Sequence, residues 1–412
     1  MSLDKSVRHC SIAALLAGAA LAASSALAAD LTIGVIGPLS GPAANSGVSM
    51  RQAYEAAAAQ ANKDGGVEID GAKRQIKLIF ADSASRPEVG VSAAQKLLTR
   101  DNVDILVGDT IASSVTLALM EVAPSFGKFV MSGQPVSIEI AKKIQSDPQR
   151  FAHFWKSSFN SDAYAQALFG SVDQLIKTGA LTAAGKKVAF IVEDTDYGKS
   201  NVEYTAPLYK NAGWTVSSSE TVALGYADFF PQLAKLRSDP PDVLISIFTS
   251  VNSGIALTKQ LKESGLNALH VAVYYPIRPE FLTGAGAAAE GLLWTPLMFD
   301  SVNNPKHKEF AGQFKQLAGV EPNGDHAQGY CQMSMLIDNV RKAKSVAPAK
   351  LAEAFAATNF PCIIARYVYD VNIHTPKVGG EYLPVPIAQI QNGASFSIWP
   401  DSTATAKFKP QR

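Results

Sequence analysis

The sequence contains little that would mark it as an enzyme or a metal protein. It has only six histidines among 412 residues, and they do not recur at the spacing of a metal site. No serine lies in a Gly-x-Ser-x-Gly elbow, the turn that presents the nucleophile in many hydrolases. No clear pair of catalytic acids stands out either. We therefore expect a protein that is not an enzyme and that uses no metal or other cofactor.

An excess of charge of one sign is also missing. The sequence has 37 lysines and arginines against 36 aspartates and glutamates, without a long run of either kind. Nucleic-acid binding requires a concentrated basic surface. We therefore expect no nucleic-acid partner.

Long apolar runs are confined to the first residues. Lys5 and Arg8 precede an apolar run at residues 12–23, and residues 26–28 read Ala-Leu-Ala, the small-residue pattern that signal peptidase requires. The run is too short to span a membrane. We expect residues 1–28 to be a cleavable signal peptide and the mature chain to be exported.

Cysteine is scarce. Of the three cysteines, Cys10 falls in the predicted signal peptide, which leaves Cys331 and Cys362. An exported compartment permits a disulfide between these two residues, and a pair of buried free thiols is the alternative.

What the chain does contain is a regular alternation of strand-like and helix-like segments. Apolar runs at residues 31–36, 76–80 and 103–107 are separated by helical patterns, and the same alternation restarts at residue 188. Strands that alternate with helices of this length predict parallel sheets covered on both faces. The two series indicate an α/β fold with two doubly wound parallel-sheet lobes.

A glycine-rich loop follows the first predicted strand, in the stretch LTIGVIGPLSGPAANSG. Its glycines, Gly34, Gly37 and Gly41, lack the Gly-x-Gly-x-x-Gly spacing of a dinucleotide site, and the lysine of a phosphate-binding loop is absent. The loop is therefore either a tight turn or a turn that also lines a site for a neutral solute.

Small hydroxyl and aromatic residues recur where the predicted strands end. Loops at these ends line the crevice in which open α/β sheets bind ligands. Ser113 and Ser114 begin a helix, where unpaired N–H groups and the helix dipole favour a carboxylate, although simple capping of the helix explains the same serines. The segments after four other predicted strands are also polar or aromatic, and they contain Gln134, Tyr197, Thr249 and Tyr274.

Five segments, taken in order, carry a family resemblance. They are IGPLSGPAANSG, VGDTIASSVTLA, EDTDYGKS, YADFFPQLAKLRSDPPDVL and AEGLLWTP. Their order and spacing resemble those of periplasmic solute-binding proteins of the leucine/isoleucine/valine-binding type, which serve ABC importers. The resemblance covers nearly the whole mature chain. It implies a type I periplasmic binding protein, with three crossovers between two lobes that close over a small ligand.

The resemblance also implies boundaries, a location and partners. One lobe would comprise residues 29–158 and 300–384, and the other would comprise residues 159–299 and 385–412. The protein would be a periplasmic monomer that delivers a small solute to membrane permease subunits. A sensor of the same fold that signals to a partner is the first alternative, and an exported α/β enzyme is the second.

By the same resemblance, several ligand-binding residues carry over. Ser113 matches the serine that binds the ligand carboxylate in amino-acid binders, and Tyr197 matches a ligand-binding tyrosine. In the family a threonine in the next loop usually assists in binding the carboxylate. That position is Val136 in this sequence, so Gln134 would have to make the contact or the contact is lost. At the position of the next tyrosine expected from the family, this sequence has Thr249.

Two positions depart from the family pattern. Tyr274 stands where the family places the acid that pairs with the ligand ammonium, and Ser46 stands where many members have an aromatic residue. Without that acid a buried ammonium lacks its charge partner, unless Asp194, Asp196 or Glu280 replaces it. We therefore expect a carboxylate-bearing solute without a critical ammonium, for example an aromatic acid. An aliphatic amino acid is the alternative.

Overall fold

The computed structural model describes residues 29–295, 299–301 and 304–410. The predicted signal peptide, residues 1–28, lies outside these residues, so its cleavage stays a prediction. Within the described ranges no helix is long and apolar enough to cross a membrane.

The first part of the chain builds a five-stranded sheet. The strands of this part of the chain are β1 (Leu31–Gly37), β2 (Val67–Ile69), β3 (Ala72–Arg74), β4 (Ile76–Asp82), β5 (Ile105–Val107), β6 (Phe129–Ser132) and β7 (Phe154–Lys156). Its helices are α1 (Ala44–Lys63), α2 (Pro87–Gln95), α3 (Ser113–Val122) and α4 (Ile138–Ser146). The sheet order is β4-β1-β5-β6-β7 with every pair parallel, and β2 and β3 form a separate hairpin.

The middle of the chain builds a second sheet in the same alternating manner. Its helices are α5 (Ser161–Lys177), α6 (Asp196–Asn211), α7 (Phe230–Ser238), α8 (Val251–Ser264) and α9 (Pro279–Ala285). Its strands are β8 (Lys187–Glu193), β9 (Thr215–Val222), β10 (Val243–Phe248), β11 (Leu269–Tyr274) and β12 (Leu293–Thr295). These five strands are parallel to their neighbours, in the order β12-β11-β10-β8-β9.

The last part of the chain packs helices on the first part, forms a small three-stranded sheet of its own, and adds two strands to the second sheet. It contains α10 (Pro305–Ala318), α11 (Gly324–Ala343), α12 (Pro348–Ala356), β13 (Asn359–Pro361), β14 (Arg366–Asp370), β15 (Thr375–Pro376), β16 (Ile387–Gln391) and β17 (Ala394–Trp399). Helices α10 and α11 pack on α1, whereas β16 and β17 extend the second sheet as antiparallel strands. The chain therefore passes three times between the two sheets, after β7, after β12 and after β15.

The central strands of both sheets are buried because helices cover both faces. All six residues of β10, VLISIF, and all six of β11, LHVAVY, are buried. Such continuously apolar strands are typical of parallel sheets inside α/β lobes. The predicted fold class is confirmed, while the exact lobe boundaries stay a prediction.

Helices α1 and α11 approach each other unusually closely. A Cβ atom at Gly329 of α11 would lie 2.8 Å from Ala53 Cβ and 3.1 Å from Met50 Sδ on α1. Only a residue without a side chain permits this approach. Of the two states left open for the cysteines, the structure has the disulfide, which joins Cys331 of α11 to Cys362 after β13.

Candidate functional site

The loops at the carboxyl ends of the two parallel sheets contact one another. Ser46 Oγ, beyond the end of β1, lies 2.9 Å from the hydroxyl oxygen of Tyr274 at the end of β11. The N–H of Asp196, beyond β8, donates to Ser114 Oγ at the start of α3 over 3.3 Å. Strand order reverses beside β1 and beside β8, and such switch points are where open α/β sheets bind ligands.

A cavity of about 20 Å³ lies between these loops. Three tyrosines, two aliphatic side chains and four polar side chains form its walls. They are Tyr164, Tyr197, Tyr274, Ile111, Val136, Gln134, Ser158, Thr249 and Gln328. This volume holds about one water molecule. A solute can therefore bind only when the lining side chains, or the two lobes, move apart.

Two of the lining side chains carry polar atoms without a hydrogen-bond partner among the described residues. These atoms are the hydroxyl of Tyr197 and both amide atoms of Gln328. Tyr197 is 8% exposed and Gln328 only 1%. Buried polar atoms in proteins are nearly always hydrogen-bonded. The unpaired atoms are therefore candidates for hydrogen bonds to a ligand.

Asp325, in the first turn of α11, is the centre of a buried network behind the cavity wall. Its Oδ1 accepts hydrogen bonds from the Tyr274 hydroxyl over 2.8 Å and from Gln134 Nε2 over 3.1 Å. Its Oδ2 accepts from Ser46 Oγ over 3.0 Å. Because Tyr274 belongs to the second sheet and α11 packs on α1, this carboxylate ties the two halves of the molecule together.

Arg278, which directly precedes α9, completes the network. Its Nε lies 3.3 Å from Oδ2 of Asp325, and the guanidinium carbon lies 4.7 Å from the ring centroid of Tyr274. Both charged side chains are almost fully buried. Burial disfavours the charge of Arg278, but Tyr274 and Asp325 outweigh that effect and raise the pKa of Arg278 above its ordinary value.

The backbone of Tyr274 is strained. Its φ is 76° and its ψ is −54°, a conformation that bulky residues rarely adopt. Such strain persists only when the surroundings hold it, and it concentrates at functional sites. Here the hydrogen bond from the Tyr274 hydroxyl to Asp325 and the stacking of Arg278 on the Tyr274 ring stabilise this conformation. The strained residue sets the direction in which the chain leaves β11 and so places both Tyr274 and Arg278.

Glu193, at the end of β8, is a second buried carboxylate near the cavity. It accepts hydrogen bonds from the N–H of Thr249 over 2.7 Å, from Thr249 Oγ1 over 2.5 Å and from Thr195 Oγ1 over 3.1 Å. Burial raises the pKa of Glu193, and the hydrogen bonds from Thr249 oppose that rise. The carboxylate is thus engaged in holding the loops after β8 and β10.

Sequence comparison decides the family. The profile of the family described as periplasmic binding protein matches residues 30–394. The chain belongs to this family. The resemblance inferred from the five sequence segments is therefore confirmed, as is the expectation of a solute-binding protein rather than an enzyme.

Individual relatives agree with this periplasmic binding protein assignment. A Leu/Ile/Val-binding protein homologue of Brucella abortus is 26% identical over 326 residues, which cover 79% of this chain and 82% of the relative. A solute-binding protein of R. palustris solved in complex with benzoate has a TM-score of 0.75 at 19% identity, covering 92% of this chain and 99% of that chain. A branched-chain amino acid binding protein of Streptococcus pneumoniae, solved with isoleucine, has a TM-score of 0.75 at 20% identity, covering 89% and 97% of the respective chains.

The predicted ligand residues of this periplasmic binding protein fall into two groups. Gln134, Tyr197, Thr249 and Tyr274 line the cavity, and Ser46 is bonded to Tyr274 behind its wall. Ser113 and Ser114 do not line the cavity. Ser113 Oγ accepts from the N–H of Ser137 over 3.2 Å, and Ser114 Oγ accepts from Asp196. A carboxylate-binding role of the two serines therefore stays a prediction.

The acids proposed as substitutes for the missing ammonium partner do not line the cavity. Asp194 is exposed and pairs with Lys199 over 2.6 Å, Glu280 is exposed, and Asp196 is half-buried at the start of α6. The buried carboxylates bonded to residues of the cavity wall are Asp325, Glu193 and Asp109, and the sequence analysis did not identify them as site residues. In the described parts of the chain, no cluster of three or more His, Cys, Asp or Glu residues could hold a metal ion.

Proposed function

We propose that this periplasmic binding protein captures a small carboxylate-bearing solute between its two lobes and delivers it to the permease subunits of an ABC importer. The observation that carries the proposal is the cavity at the strand ends of both sheets, with its aromatic walls and unpaired polar atoms. Ligand sites are typically apolar with a few convergent polar groups that fix orientation. The tyrosine rings would contact the body of the solute, and Tyr197 and Gln328 would bind its polar atoms.

The charges around the cavity favour an acid without an ammonium group. Three buried carboxylates bonded to residues of the cavity wall, Asp325, Glu193 and Asp109, already accept three hydrogen bonds each from neighbouring side chains and backbone. Because these carboxylates are already engaged by other donors, an ammonium in the cavity would be buried without a dedicated partner, which is costly. Benzoate in the R. palustris neighbour indicates that this fold accommodates such acids, while isoleucine in the S. pneumoniae neighbour keeps an amino acid as the alternative.

Binding would be coupled to closure of a monomer. The three passages between the sheets would act as hinges, near Ser158, Asp300 and Val385. The small volume of the cavity supports this proposal, because the site must open to admit a ligand. Export through the predicted signal peptide would place the protein in the periplasm, where it meets its permease.

A thermal-shift screen of the purified protein tests the ligand class. The panel contains leucine, isoleucine and valine, their deaminated acids, benzoate and hydroxylated benzoates. We expect stabilisation by one or more of the acids without an ammonium group. Strong stabilisation by leucine or valine together with none by the deaminated acids would contradict the proposed class.

Delivery needs its own measurement. Uptake of the best-binding acid is compared between the native host, a strain lacking this gene and the complemented strain. Loss of uptake that complementation restores is expected. Unchanged uptake with a lost transcriptional response to the acid would instead support the sensor.

A further inference from the structure

One edge of a buried guanidinium is left without hydrogen-bond partners. Arg278 is 2% exposed, and among the described residues neither its Nε nor its Nη2 has a hydrogen-bond partner. Its Nη1 makes only a long contact of 3.5 Å with the carbonyl oxygen of Thr249. Nε and Nη2 donate along the same edge of the planar guanidinium. Two parallel N–H groups of this kind can bind both oxygens of a carboxylate.

Asp325 does not occupy this edge. Although its Oδ2 lies 3.3 Å from Nε, the contact lacks the geometry of a hydrogen bond. The carboxylate already accepts from Tyr274, Gln134 and Ser46, and three such donors stabilise its charge without a guanidinium. The ion pair therefore compensates the charge of Arg278 in part and leaves its Nε and Nη2 without a hydrogen-bond partner among the described residues.

The surroundings hold the guanidinium beside the cavity. One face of it stacks on the ring of Tyr274, which lines the cavity, and Nη1 points to the carbonyl of Thr249, which also lines it. Burial of a charged group with unused donors is costly. Unpaired buried donors in a native protein require an explanation, and a ligand that supplies the acceptors is one.

We propose that the Nε–Nη2 edge of Arg278 binds the carboxylate of the transported solute, with the rest of the solute against the rings of Tyr164, Tyr197 and Tyr274. This inference rests on the proposed function and identifies the residue that selects its substrate class. Arg278 does not line the closed cavity, so the contact forms when the Tyr274 ring or the lobes move, as entry of any ligand requires. A cation at this position attracts simple carboxylates and repels an ammonium group.

The test uses a pair of probes with the same ring, benzoate and benzamide, together with the best acid of the thermal-shift panel and its amide. The amide is neutral and carries an N–H₂ donor in place of one carboxylate oxygen, so it cannot accept from both N–H groups of the Arg278 edge with two oxygens. Affinities are measured by calorimetry for the wild type, Arg278→Gln, Arg278→Lys and the surface control Arg86→Gln, whose side chain is 63% exposed. We expect the wild type to prefer the acid and Arg278→Gln to bind it about 10- to 100-fold more weakly, as for the loss of one or two hydrogen bonds to a charged group. Amide binding should not change.

Two further readouts separate ligand binding from a structural role. Arg278→Lys keeps the positive charge but lacks the two parallel N–H donors of the guanidinium, so we expect it to retain only part of the affinity for the acid. In protein labelled with ¹⁵N-arginine, the Nε–H resonance of Arg278 should shift when the acid is added and should not shift with the amide. This spectrum is recorded on the wild type, so it decides the question even if a variant fails to fold.

Each contrary result has a distinct meaning. Wild-type acid affinity in Arg278→Gln, with binding lost in Ser113→Ala, would overturn the role of Arg278 and leave solute binding intact. Equal losses for acid and amide in Arg278→Gln would mean that the arginine only shapes the site, which also rejects the proposal. Failure of the wild type to bind any acid of the panel would reject both the proposed ligand class and the role of Arg278.

Discussion

The substitution Asp325→Asn tests whether the buried network ties the two lobes together. Asparagine keeps the shape of the side chain and an oxygen that can accept from Tyr274 and Gln134. It replaces the second oxygen by an amide N–H₂ group, which faces Ser46 Oγ and Arg278 Nε. The variant therefore removes the only ion-pair contact found for Arg278 among the described residues.

The size of the effect follows from burial. The two side chains are 1% and 0% exposed, so solvent does not screen their interaction. Breaking a buried ion pair by removing one partner costs about 3–5 kcal/mol. Because the 3.3 Å contact is not a hydrogen bond and two of the three hydrogen bonds to Asp325 survive, we expect the lower end, about 3 kcal/mol in the free energy of unfolding.

Urea unfolding monitored by circular dichroism measures this loss as a lower midpoint with an unchanged slope. The double variant Asp325→Asn/Arg278→Met should lose less than the sum of the single variants, by at least about 1 kcal/mol, because the unpaired cation is gone. Glu68→Gln is the matched control, since its side chain is 48% exposed and pairs with Lys344 at the end of α11. A loss below about 1 kcal/mol in Asp325→Asn, or strict additivity in the double variant, would contradict the claim that Asp325 stabilises the fold by pairing with Arg278.

Three further predictions concern closure, the serine at α3 and a buried acid. Small-angle scattering should show a smaller radius of gyration after the ligand binds, and an unchanged radius despite confirmed binding would contradict hinge closure at the three crossovers. Ser113→Ala should weaken carboxylate binding by roughly 1–3 kcal/mol, whereas unchanged affinity in calorimetry would leave Ser113 as a structural residue that accepts from Ser137. Burial raises the pKa of Asp109 to about 6, so its contribution to stability is full below about pH 4 and is lost as the pH rises through 6. Asp109→Asn should therefore gain stability relative to the wild type between pH 4 and 7, by roughly 2–3 kcal/mol, and a constant difference in urea midpoint across this range would contradict the cause given for the shift.

The strands were predictable where their burial requires a run of apolar residues in the sequence. The apolar runs at residues 31–36, 76–80 and 103–107 correspond to β1, β4 and β5. By contrast, β9 has the sequence TVSSSETV, since it lies at the edge of the second sheet and is mostly exposed or half-buried. Such a strand forms by pairing with β8 rather than by burying an apolar run, so its sequence carries little signal.

The site was predictable as far as the topology of parallel sheets dictates it. Gln134, Tyr197, Thr249 and Tyr274 follow strand ends, and they were found by the rule that such ends meet at one crevice together with the family resemblance. The rule does not tell which strand-end side chains point into the crevice. Ser113 satisfies it and yet lies outside the cavity lining.

The missed residues reach the site through packing between distant parts of the chain. Asp325 and Gln328 lie on α11, and the close approach of α11 to α1 at Gly329 brings them to the strand ends. No local pattern encodes that contact. Arg278 follows a strand end by four residues, but the direction of its side chain depends on the strained backbone of Tyr274, which sequence periodicity cannot indicate.

The proposed function requires that the protein hold a small carboxylate-bearing solute between its lobes. Mass spectrometry of the small molecules released by denaturing the protein, after purification from the periplasm of its native host, tests that claim most directly. We expect one predominant small carboxylic acid without an ammonium group, close to one molecule per chain, which stabilises the purified protein when it is added back. Release of leucine, isoleucine or valine, or of a solute without a carboxylate, would contradict it.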